Sequence, residues 1–506
     1  MHVIDVNWQA EGDYLGPYWR KCVGAGRVGE ALRAVFQRHL ELVQREMPFE
    51  YIRAHGLFHE DMMVYREEAG QSVFNWQYVD MVYDHWLSVG LRPFVELSFM
   101  PYDLASGDKT VFWWKGNVTP PKDWSKWGEL VRRFVVHVIE RYGIDEVLQW
   151  YFEVWNEPDL KGFWLNRDFE AYMRLYEVSV RAIKSVDPRL RVGGPATSGT
   201  VDHPGQACWG KEFLAACSER RLPLDFFSTH PYPTFHPVDL EGKGYMRWDE
   251  ENRLLKDLDG FSRMLNETGH DHLERHYTEW NSSPSARDPI HDTAFLAPFV
   301  IRNNWLGRGH ADSLSFWVVS DIFEENRFGD TPFHGGFGLI NAQGLKKPSY
   351  HGYWFLSRLG DEVIQGSETH AVTRHKDGRI SILLWNYCHY SDEGNDSRKF
   401  REAGSEGVYG LFREGKAETF RLRLPDCGKL TRIQTTRFDR DHGSVYDAWV
   451  AMGAPERLLP QDEEALHRKS ELDVSVERIP AGACERTCHV PPHGVVLIEI
   501  LHEPRL

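Results

Sequence analysis

Short apolar runs alternate with amphipathic stretches along roughly the first 330 residues of the chain. The runs have the length of buried strands, and the stretches between them, such as 29–44, 127–140 and 169–183, repeat apolar residues at helical spacing. Eight strand–helix units predict a (β/α)8 TIM barrel, with its functional site at the C-terminal ends of the strands. The predicted strands are 21–23, 51–54, 93–97, 149–155, 190–193, 225–229, 276–279 and 313–318.

From about residue 360 the pattern becomes that of an all-β module. Apolar segments at 371–374 and 380–385 flank Lys376-Asp377-Gly378, which is a hairpin turn signal. This pattern is typical of a β-sandwich. The remaining predicted elements are strands at 420–424 and 495–500 and a small helical insertion near 447–471.

The two patterns predict two domains in one α/β chain. We expect an N-terminal segment over 1–15, a (β/α)8 catalytic barrel over 16–345 and a β-sandwich accessory domain over 346–506. The N-terminal segment could return to the β module as an extra strand. Since no low-complexity linker stands between the domains, we expect them to pack closely.

Two of the predicted strands end in a glutamate. The apolar and aromatic run 150–155 ends in Asn156-Glu157-Pro158, where Pro158 stops further strand pairing. Far downstream, the run 274–281 repeats the arrangement around Glu279. By count these are the fourth and seventh strands. Glycoside hydrolysis needs two such carboxyls, one as proton donor and one as partner of the sugar cation.

Each glutamate alone could equally be a solvated loop residue. The pair is more informative, because both members end predicted strands and both lie among aromatic side chains. Aromatic faces pack against sugar rings, although they also make ordinary core. The flanking aromatics are Trp150, Tyr151, Phe152 and Trp155 for the first glutamate, and Tyr277 and Trp280 for the second.

Composition narrows the class of protein. With 42% hydrophobic and 26% charged residues, a chain of 506 residues is globular and can bury a large core. The formal charge of −16 argues against nucleic acid and anionic membranes as partners. The polar N-terminus lacks the apolar region of a signal peptide, so a cytoplasmic protein is expected.

The cysteines favour a reducing compartment. There are seven, an odd number at irregular spacing, as expected for free thiols. Cys484 and Cys488 form the only close pair, and no matching His/Cys set lies near them in the sequence. His55 and His59 are four residues apart, but the intervening Gly56 argues against a helix. We therefore predict no metal site.

Longer motifs connect the two glutamates to a known family. Residues 155–158 and 278–281 match the signatures on the fourth and seventh strands of the clan A retaining glycosidases. Together with further stretches, they make the chain resemble glycoside hydrolase family 39, and within it the bacterial β-xylosidases. The resemblance weakens after about residue 390. The further stretches are 51–56, 105–112, 114–122, 316–325 and 333–339.

The resemblance implies roles for the strand-end residues. Glu157 resembles the general acid/base of the family, and Glu279 resembles its nucleophile. Asn156 resembles the amide that hydrogen-bonds the sugar 2-hydroxyl. His230 and Tyr232 resemble active-site residues, with Tyr232 near the nucleophile. No cofactor is implied.

Three further residues resemble groups around the terminal sugar. His55 and Glu324 resemble residues that hold its hydroxyls, and Trp317 resembles the aromatic floor at the eighth strand. Two departures stand out. The xylosidases carry Glu-Tyr-Asn-Thr at 279–282, where this chain has Glu-Trp-Asn-Ser, and His-Ala-Tyr at 230–232, where it has His-Pro-Tyr. These changes leave the mechanism alone and leave the exact sugar and aglycone open.

The supporting residues also have ordinary structural explanations. His55 could be a core histidine, His230 could shape the turn before Pro231, and Trp317 could belong to the core. Trp113 and Trp114 could be core packing or a substrate platform.

Two other glutamates, also on predicted strands, have to be considered beside Glu157 and Glu279. Glu96, near a strand end, is the rival for the acid role. Glu153, in the middle of a strand, is expected to be a buried and paired barrel residue.

These observations predict a retaining, exo-acting β-xylosidase that removes xylose from short xylo-oligosaccharides. One alternative is the same mechanism on another sugar, as in a β-glucosidase, an α-L-arabinosidase or an α-L-iduronidase. The other is a catalytically inactive sugar-binding protein, which would not need two carboxylates across one bond. The family resemblance also implies a homo-oligomer such as a tetramer.

Overall fold

Eight parallel strands close a barrel in the computed structural model, which describes residues 1–199, 208–236, 243–425, 431–479 and 482–502. The strands follow one another around the barrel in chain order, and the first lies beside the eighth. The TIM-barrel prediction is confirmed. The barrel strands are β1 Cys22–Arg27, β2 Tyr51–His55, β3 Arg92–Glu96, β4 Tyr151–Glu153, β5 Arg191–Thr197, β6 Phe226–Thr229, β7 Glu274–Trp280 and β8 Ser313–Phe316.

A helix follows each barrel strand. The last of these helices, Pro348–Leu356, packs so tightly on the helix Leu296–Leu306 that a Cβ at Gly352 would collide with Val300. The barrel therefore extends beyond residue 345, where the sequence pattern ended it. The helices are α1 Ala34–Glu46, α2 Gln77–Ser88, α3 Trp124–Tyr142, α4 Phe169–Val186, α5 Gly210–Arg220, α6 Arg253–Glu267, α7 Leu296–Leu306 and α8 Pro348–Leu356.

Helix α3 illustrates how local sequence sets these elements. Asp123 caps its N-terminus by accepting from the backbone N–H groups of Ser125 and Lys126. Its apolar face, which includes Leu130 and Phe134, is fully buried. The helix ends at Gly143, whose φ of +85° suits glycine.

The side chains inside the barrel are mostly aromatic at one end and charged towards the other. Near the N-terminal ends of the strands it is filled by a cluster of Cys22, Tyr51, Phe94, Tyr151 and Phe226. Further along the same strands, charged side chains replace the aromatic ones. Because side chains alternate along a strand, Arg53 follows Tyr51, Glu96 follows Phe94 and Glu153 follows Tyr151 on the inward face.

Two facing sheets form the β module. The opening residues belong to both, because His2–Asp5 pairs with Glu418–Leu424 and Asp13–Tyr14 pairs with Glu362–Gly366. The larger sheet has the order Asp13–Tyr14, Glu362–Gly366, His370–Arg374, Ile380–Trp385, Val495–His502, Thr431–Phe438, Asp473–Ile479. The smaller has the order His2–Asp5, Glu418–Leu424, Cys484–Val490.

Short elements complete the fold. Three hairpins lie in the loops after β2, β3 and β6, on the face where the barrel strands end. Within the described ranges, no helix is long and apolar enough to cross a membrane. The hairpins are Tyr65–Glu68 with Gln71–Phe74, Thr110–Val111 with Gly116–Asn117, and Thr234–Phe235 with Arg247–Trp248. The remaining α-helices are Ile144–Val147, Ser397–Gly407, Val445–Ala451 and Pro460–Lys469.

Candidate active site

Arg53 lies at the centre of a polar cluster at the C-terminal end of the barrel. Its side chain is fully buried. Its Nε donates to Glu153 at 2.6 Å and its Nη1 to Glu279 at 2.9 Å, while Nη2 reaches both Asn156 and Glu96 at 2.8 Å. One planar guanidinium therefore sets the relative positions of groups from β3, β4 and β7.

Glu279 is held as an acceptor from two sides. Arg53 donates to its Oε1, and the Tyr232 hydroxyl donates to its Oε2 at 3.0 Å. The pairing of β7 with β8 shifts register between Tyr277 and Trp280, which brings Glu279 into the cluster. The two contacts together fix the orientation of the Glu279 carboxylate.

Glu157 lies just beyond the end of β4 in an environment that favours the neutral carboxyl. Its backbone has a φ of +45°, in the left-handed region that residues other than glycine adopt uncommonly. Oε1 contacts Nδ1 of His230 at 2.8 Å. Burial raises the pKa of Glu157 to about 7, with Glu96 adding to the rise and His55 and Arg53 opposing it.

The two carboxyls face each other across a short gap. One carboxylate oxygen from each of Glu157 and Glu279, together with a ring nitrogen of His230, lies within 4.8 Å of the others. Carboxyls about 5–5.5 Å apart are typical of retaining glycosidases, whereas inverting enzymes need about 6.5–9.5 Å. The same three groups could also ligate a metal ion, a role that the sequence does not predict.

Glu96 differs from Glu157 in its electrostatics. Burial raises the pKa of Glu96, but the charges and hydrogen bonds of His55 and Arg53 outweigh it, and the pKa lies below its ordinary value. Nδ1 of His55 is 2.7 Å from Glu96. An ionised and fully paired carboxylate is poorly suited to donate a proton, which disfavours Glu96 as the acid.

An aromatic surface closes one side of the cluster. The indole of Trp317 lies with its ring centroid 4.6 Å from that of His55 and 5.9 Å from the guanidinium carbon of Arg53. A Cβ at Gly24 would collide with this indole. Gly24 therefore allows Trp317 to lie against β1 at the end of β8.

Comparison with known proteins shows the family of the chain. The model of "Glycosyl hydrolases family 39" matches residues 2–478. The chain belongs to glycoside hydrolase family 39. It is 38% identical to a "Beta-xylosidase" of Geobacillus stearothermophilus, with 95% of this chain and 92% of that protein covered. It is 35% identical to a "Beta-xylosidase" of Caldicellulosiruptor saccharolyticus, with 98% of each covered.

A solved structure has the same architecture over its whole length. This is a monomeric beta-xylosidase from Caulobacter crescentus, which is 30% identical to this chain. The TM-score is 0.90, and 99% of each chain is covered. The resemblance inferred from the motifs is thus confirmed, and this family 39 chain is a glycoside hydrolase.

The structure brings most of the residues singled out in the sequence to one place in this family 39 barrel. Glu324 is different. Its carboxylate lies between Arg27 and Arg33, at 2.5 Å and 2.8 Å, and its backbone N–H donates to Glu30. The residues gathered in the cluster around Arg53 are Glu157, Glu279, Asn156, His55, His230, Tyr232 and Trp317.

The residue after Glu324 faces the cluster. Oε1 of Glu325 is 3.6 Å from Nε2 of His55. Burial raises the pKa of Glu325 well above its ordinary value, and the surrounding carboxylates, first Glu279, raise it further. This environment favours the neutral form of the Glu325 carboxyl.

Sequence reasoning missed Arg53 and Thr278 as well as Glu325. The alternation of Tyr51, Arg53 and His55 along one strand placed Arg53 on the inward face, and a charged residue at such a position was the available signal. The hydroxyl of Thr278 donates to Glu153 at 3.0 Å. Polar residues inside a barrel strand imply partners from neighbouring strands.

The two adjacent tryptophans have different environments. Trp114 is buried against Phe99, Phe112 and His59. Trp113 is 53% exposed, and its backbone N–H donates to the carbonyl of Glu325 at 2.7 Å. Core packing therefore describes Trp114, while Trp113 lies at the rim of the site.

Proposed function

We propose that this protein is a retaining, exo-acting β-xylosidase that releases xylose from the non-reducing ends of short xylo-oligosaccharides. The observation that carries the proposal is the facing pair of buried carboxyls with contrasting environments. The pKa of Glu157 is raised to about 7 by burial, whereas Glu279 accepts hydrogen bonds from Arg53 and Tyr232. One group is equipped to be an acid and the other to be a nucleophile.

The reaction proceeds in two displacements. In the first, Glu279 attacks the anomeric carbon while Glu157 protonates the departing glycosidic oxygen, which leaves a covalent xylosyl ester on Glu279. In the second, Glu157 as a carboxylate takes a proton from water while the water oxygen attacks the same carbon, which breaks the ester bond and releases Glu279 as a carboxylate. Two inversions return the original configuration.

Neighbouring groups prepare the sugar and the nucleophile. Oδ1 of Asn156 accepts from Arg53, so the amide NH2 of Asn156 is the group that can donate to the sugar 2-hydroxyl. Hydrogen bonds to that hydroxyl strengthen as positive charge develops on the ring. Tyr232 and Arg53 keep Glu279 in line during both steps.

The proposed sugar is xylose. His55 lies beside both Trp317 and Glu325, and we expect these three residues to form the wall around C5 of the sugar. A close wall there admits xylose but clashes with the C6 hydroxymethyl of glucose. An iduronidase would place basic groups at the sugar carboxylate, whereas here the acidic Glu325 lies beside His55. The full-length likeness to two proteins named beta-xylosidase supports the same sugar.

A panel of matched nitrophenyl glycosides tests this assignment. We expect kcat/KM for the β-xyloside to exceed that for the β-glucoside by at least ~10-fold, since one added group in a closed pocket costs about 1–3 kcal/mol. A preference for the glucoside would reject the xylosidase assignment and leave the mechanism standing. Failure to cleave any glycoside would favour a sugar-binding protein.

Glu325→Ala should lower the xyloside to glucoside ratio on the order of tenfold, because it opens the proposed wall and removes a carboxyl that can hydrogen-bond the sugar. Glu324→Ala is the matched variant one residue earlier, where the ion pairs with Arg27 and Arg33 are lost instead. We expect Glu324→Ala to keep the ratio. If Glu324→Ala loses the discrimination and Glu325→Ala retains it, the wall belongs to Glu324, as the family resemblance implied.

The pH profile of kcat/KM should have a basic limb set by Glu157. The acid step needs a protonated carboxyl, and a raised pKa keeps the proton in place to higher pH. Activity on xylobiose should therefore be lost as the pH rises through about 7, the value to which burial raises the pKa of Glu157. A basic limb that persists unchanged in Glu157→Ala would contradict this assignment.

The cytoplasmic location and the homo-oligomer stay predictions of the proposed function. Gel filtration with light scattering would measure the assembly directly.

A further inference from the structure

A chain of hydrogen bonds connects the interior of the barrel to the proposed acid. Arg53 donates from Nε to Oε2 of Glu153 at 2.6 Å, and Thr278 donates its hydroxyl to Oε1 of the same carboxylate at 3.0 Å. Oγ1 of Thr278 lies 3.2 Å from Nε2 of His230. Nδ1 of His230 lies 2.8 Å from Oε1 of Glu157. Five buried groups are thus linked in series.

The number of available protons determines which group donates in each hydrogen bond of this series. Glu153 is paired with Arg53 and, as a carboxylate, can only accept. Thr278 has one hydroxyl proton, which it gives to Glu153, so towards His230 its oxygen can only accept. Nε2 of His230 must therefore carry the ring proton, and Nδ1 presents a lone pair to Glu157.

The opposite arrangement fails at Glu153. If Thr278 donated to Nε2 of His230, the lone pairs of its oxygen would face the Glu153 carboxylate at 3.0 Å in a fully buried site. An unsatisfied buried acceptor costs about 1–3 kcal/mol, and more when it is charged. A doubly protonated ring is opposed by burial, which lowers the pKa of His230 to about 4.

We propose that Thr278 is a positioning residue that keeps the proton of His230 on Nε2, so that Nδ1 accepts from Glu157 and holds it in the acid form. The inference rests on the proposed function, because it explains how the acid of that reaction is kept ready. When Glu157 has given up its proton, the lone pair of Nδ1 faces its negative charge. This repulsion favours the return of a proton to Glu157 in the second displacement.

Other charges act on the same two residues, and they are common to all the variants below. They lie on the strand ends that surround Glu157 and His230. They are Arg53 and His55 on β2, Glu96 on β3, Glu153 on β4 and Asp159 after it, Tyr232 after β6, Glu279 on β7 and Glu325 after β8.

Thr278→Val tests the inference, with Thr278→Ser as its matched control. Valine has the shape of threonine but no hydroxyl, so the ring proton of His230 is free to move to Nδ1 and donate to the Glu157 carboxylate. That bond stabilises the charged form of Glu157. In Thr278→Val we expect the basic limb of kcat/KM on xylobiose to move down by about one pH unit. In Thr278→Ser the hydroxyl remains and the limb should stay near its wild-type position.

A second measurement reads the position of the ring proton in the wild-type enzyme itself. In wild-type enzyme labelled with ¹⁵N-histidine, the His230 resonances, assigned by their absence in His230→Asn, should show a protonated Nε2 and a bare Nδ1. Thr278→Val should reverse this pattern. A proton found on Nδ1 in the wild type overturns the inference, even if Thr278→Val does not fold. An unmoved basic limb in a folded Thr278→Val with uniformly lower rates also overturns it. Failure of the proposed function would instead appear as a wild type that does not cleave xylobiose.

Discussion

Glu279→Gln should lower kcat/KM on nitrophenyl β-xyloside by at least ~10⁴-fold, a barrier increase of about 5 kcal/mol. The amide has the shape of the carboxylate but cannot attack the anomeric carbon. It also places an NH2 group or a neutral oxygen against Arg53 and Tyr232, which donate to the native carboxylate at 2.9 Å and 3.0 Å. Steady-state kinetics measure the loss, and thermal unfolding shows whether the barrel is intact.

Two comparisons make the result specific. Glu274→Gln changes a glutamate at the other end of β7, where the carboxylate accepts from Tyr151 and contacts His276, so activity should survive. Azide should rescue Glu279→Ala and give the α-xylosyl azide, because a small anion then replaces the carboxylate in a single inversion. Residual Glu279→Gln activity within about tenfold of wild type, only ~1.4 kcal/mol, would show that another group is the nucleophile.

Glu157→Ala should affect substrates unequally. Loss on xylobiose should reach about 10²–10⁴-fold, the usual contribution of a general acid, since a sugar alcohol leaves poorly without a proton. The first step on dinitrophenyl β-xyloside should be nearly unchanged, because that phenol departs unaided. Pre-steady-state release of dinitrophenol separates this step from the slower hydrolysis of the xylosyl enzyme.

Azide should also rescue Glu157→Ala, but with the β-xylosyl azide as product, because it then attacks the covalent intermediate. Opposite anomers from the two alanine variants would assign the two roles independently. Equal losses on both substrates in Glu157→Ala, with an unchanged basic limb, would transfer the acid role to another carboxyl such as Glu96.

Much of the barrel could be predicted from the chain, because its strands are short apolar runs separated by helices with helical spacing. The predicted runs at 93–97 and 225–229 overlap Arg92–Glu96 and Phe226–Thr229. Boundaries were less accurate where polar or glycine residues continue a strand, as in Cys22–Arg27. The helix Pro348–Leu356 was assigned to the β module, because hydrophobic pattern alone does not reveal which neighbour a helix packs against.

The site, like the fold, could be predicted from the sequence only in part. Glu157 and Glu279 could be found because strand ends in a parallel barrel meet at one face. Which of Glu324 and Glu325 faces that site depends on the path of the loop after β8, and periodicity does not describe a loop. Arg53 was overlooked because its partners come from three other strands and are distant in the sequence.

The most direct test of the retaining xylosidase proposal is proton NMR of wild-type enzyme acting on nitrophenyl β-xyloside, recorded before the free sugar mutarotates. The proposal predicts that β-xylose appears first, followed by slow growth of the α anomer. If α-xylose is the first product, the double displacement by Glu157 and Glu279 is contradicted.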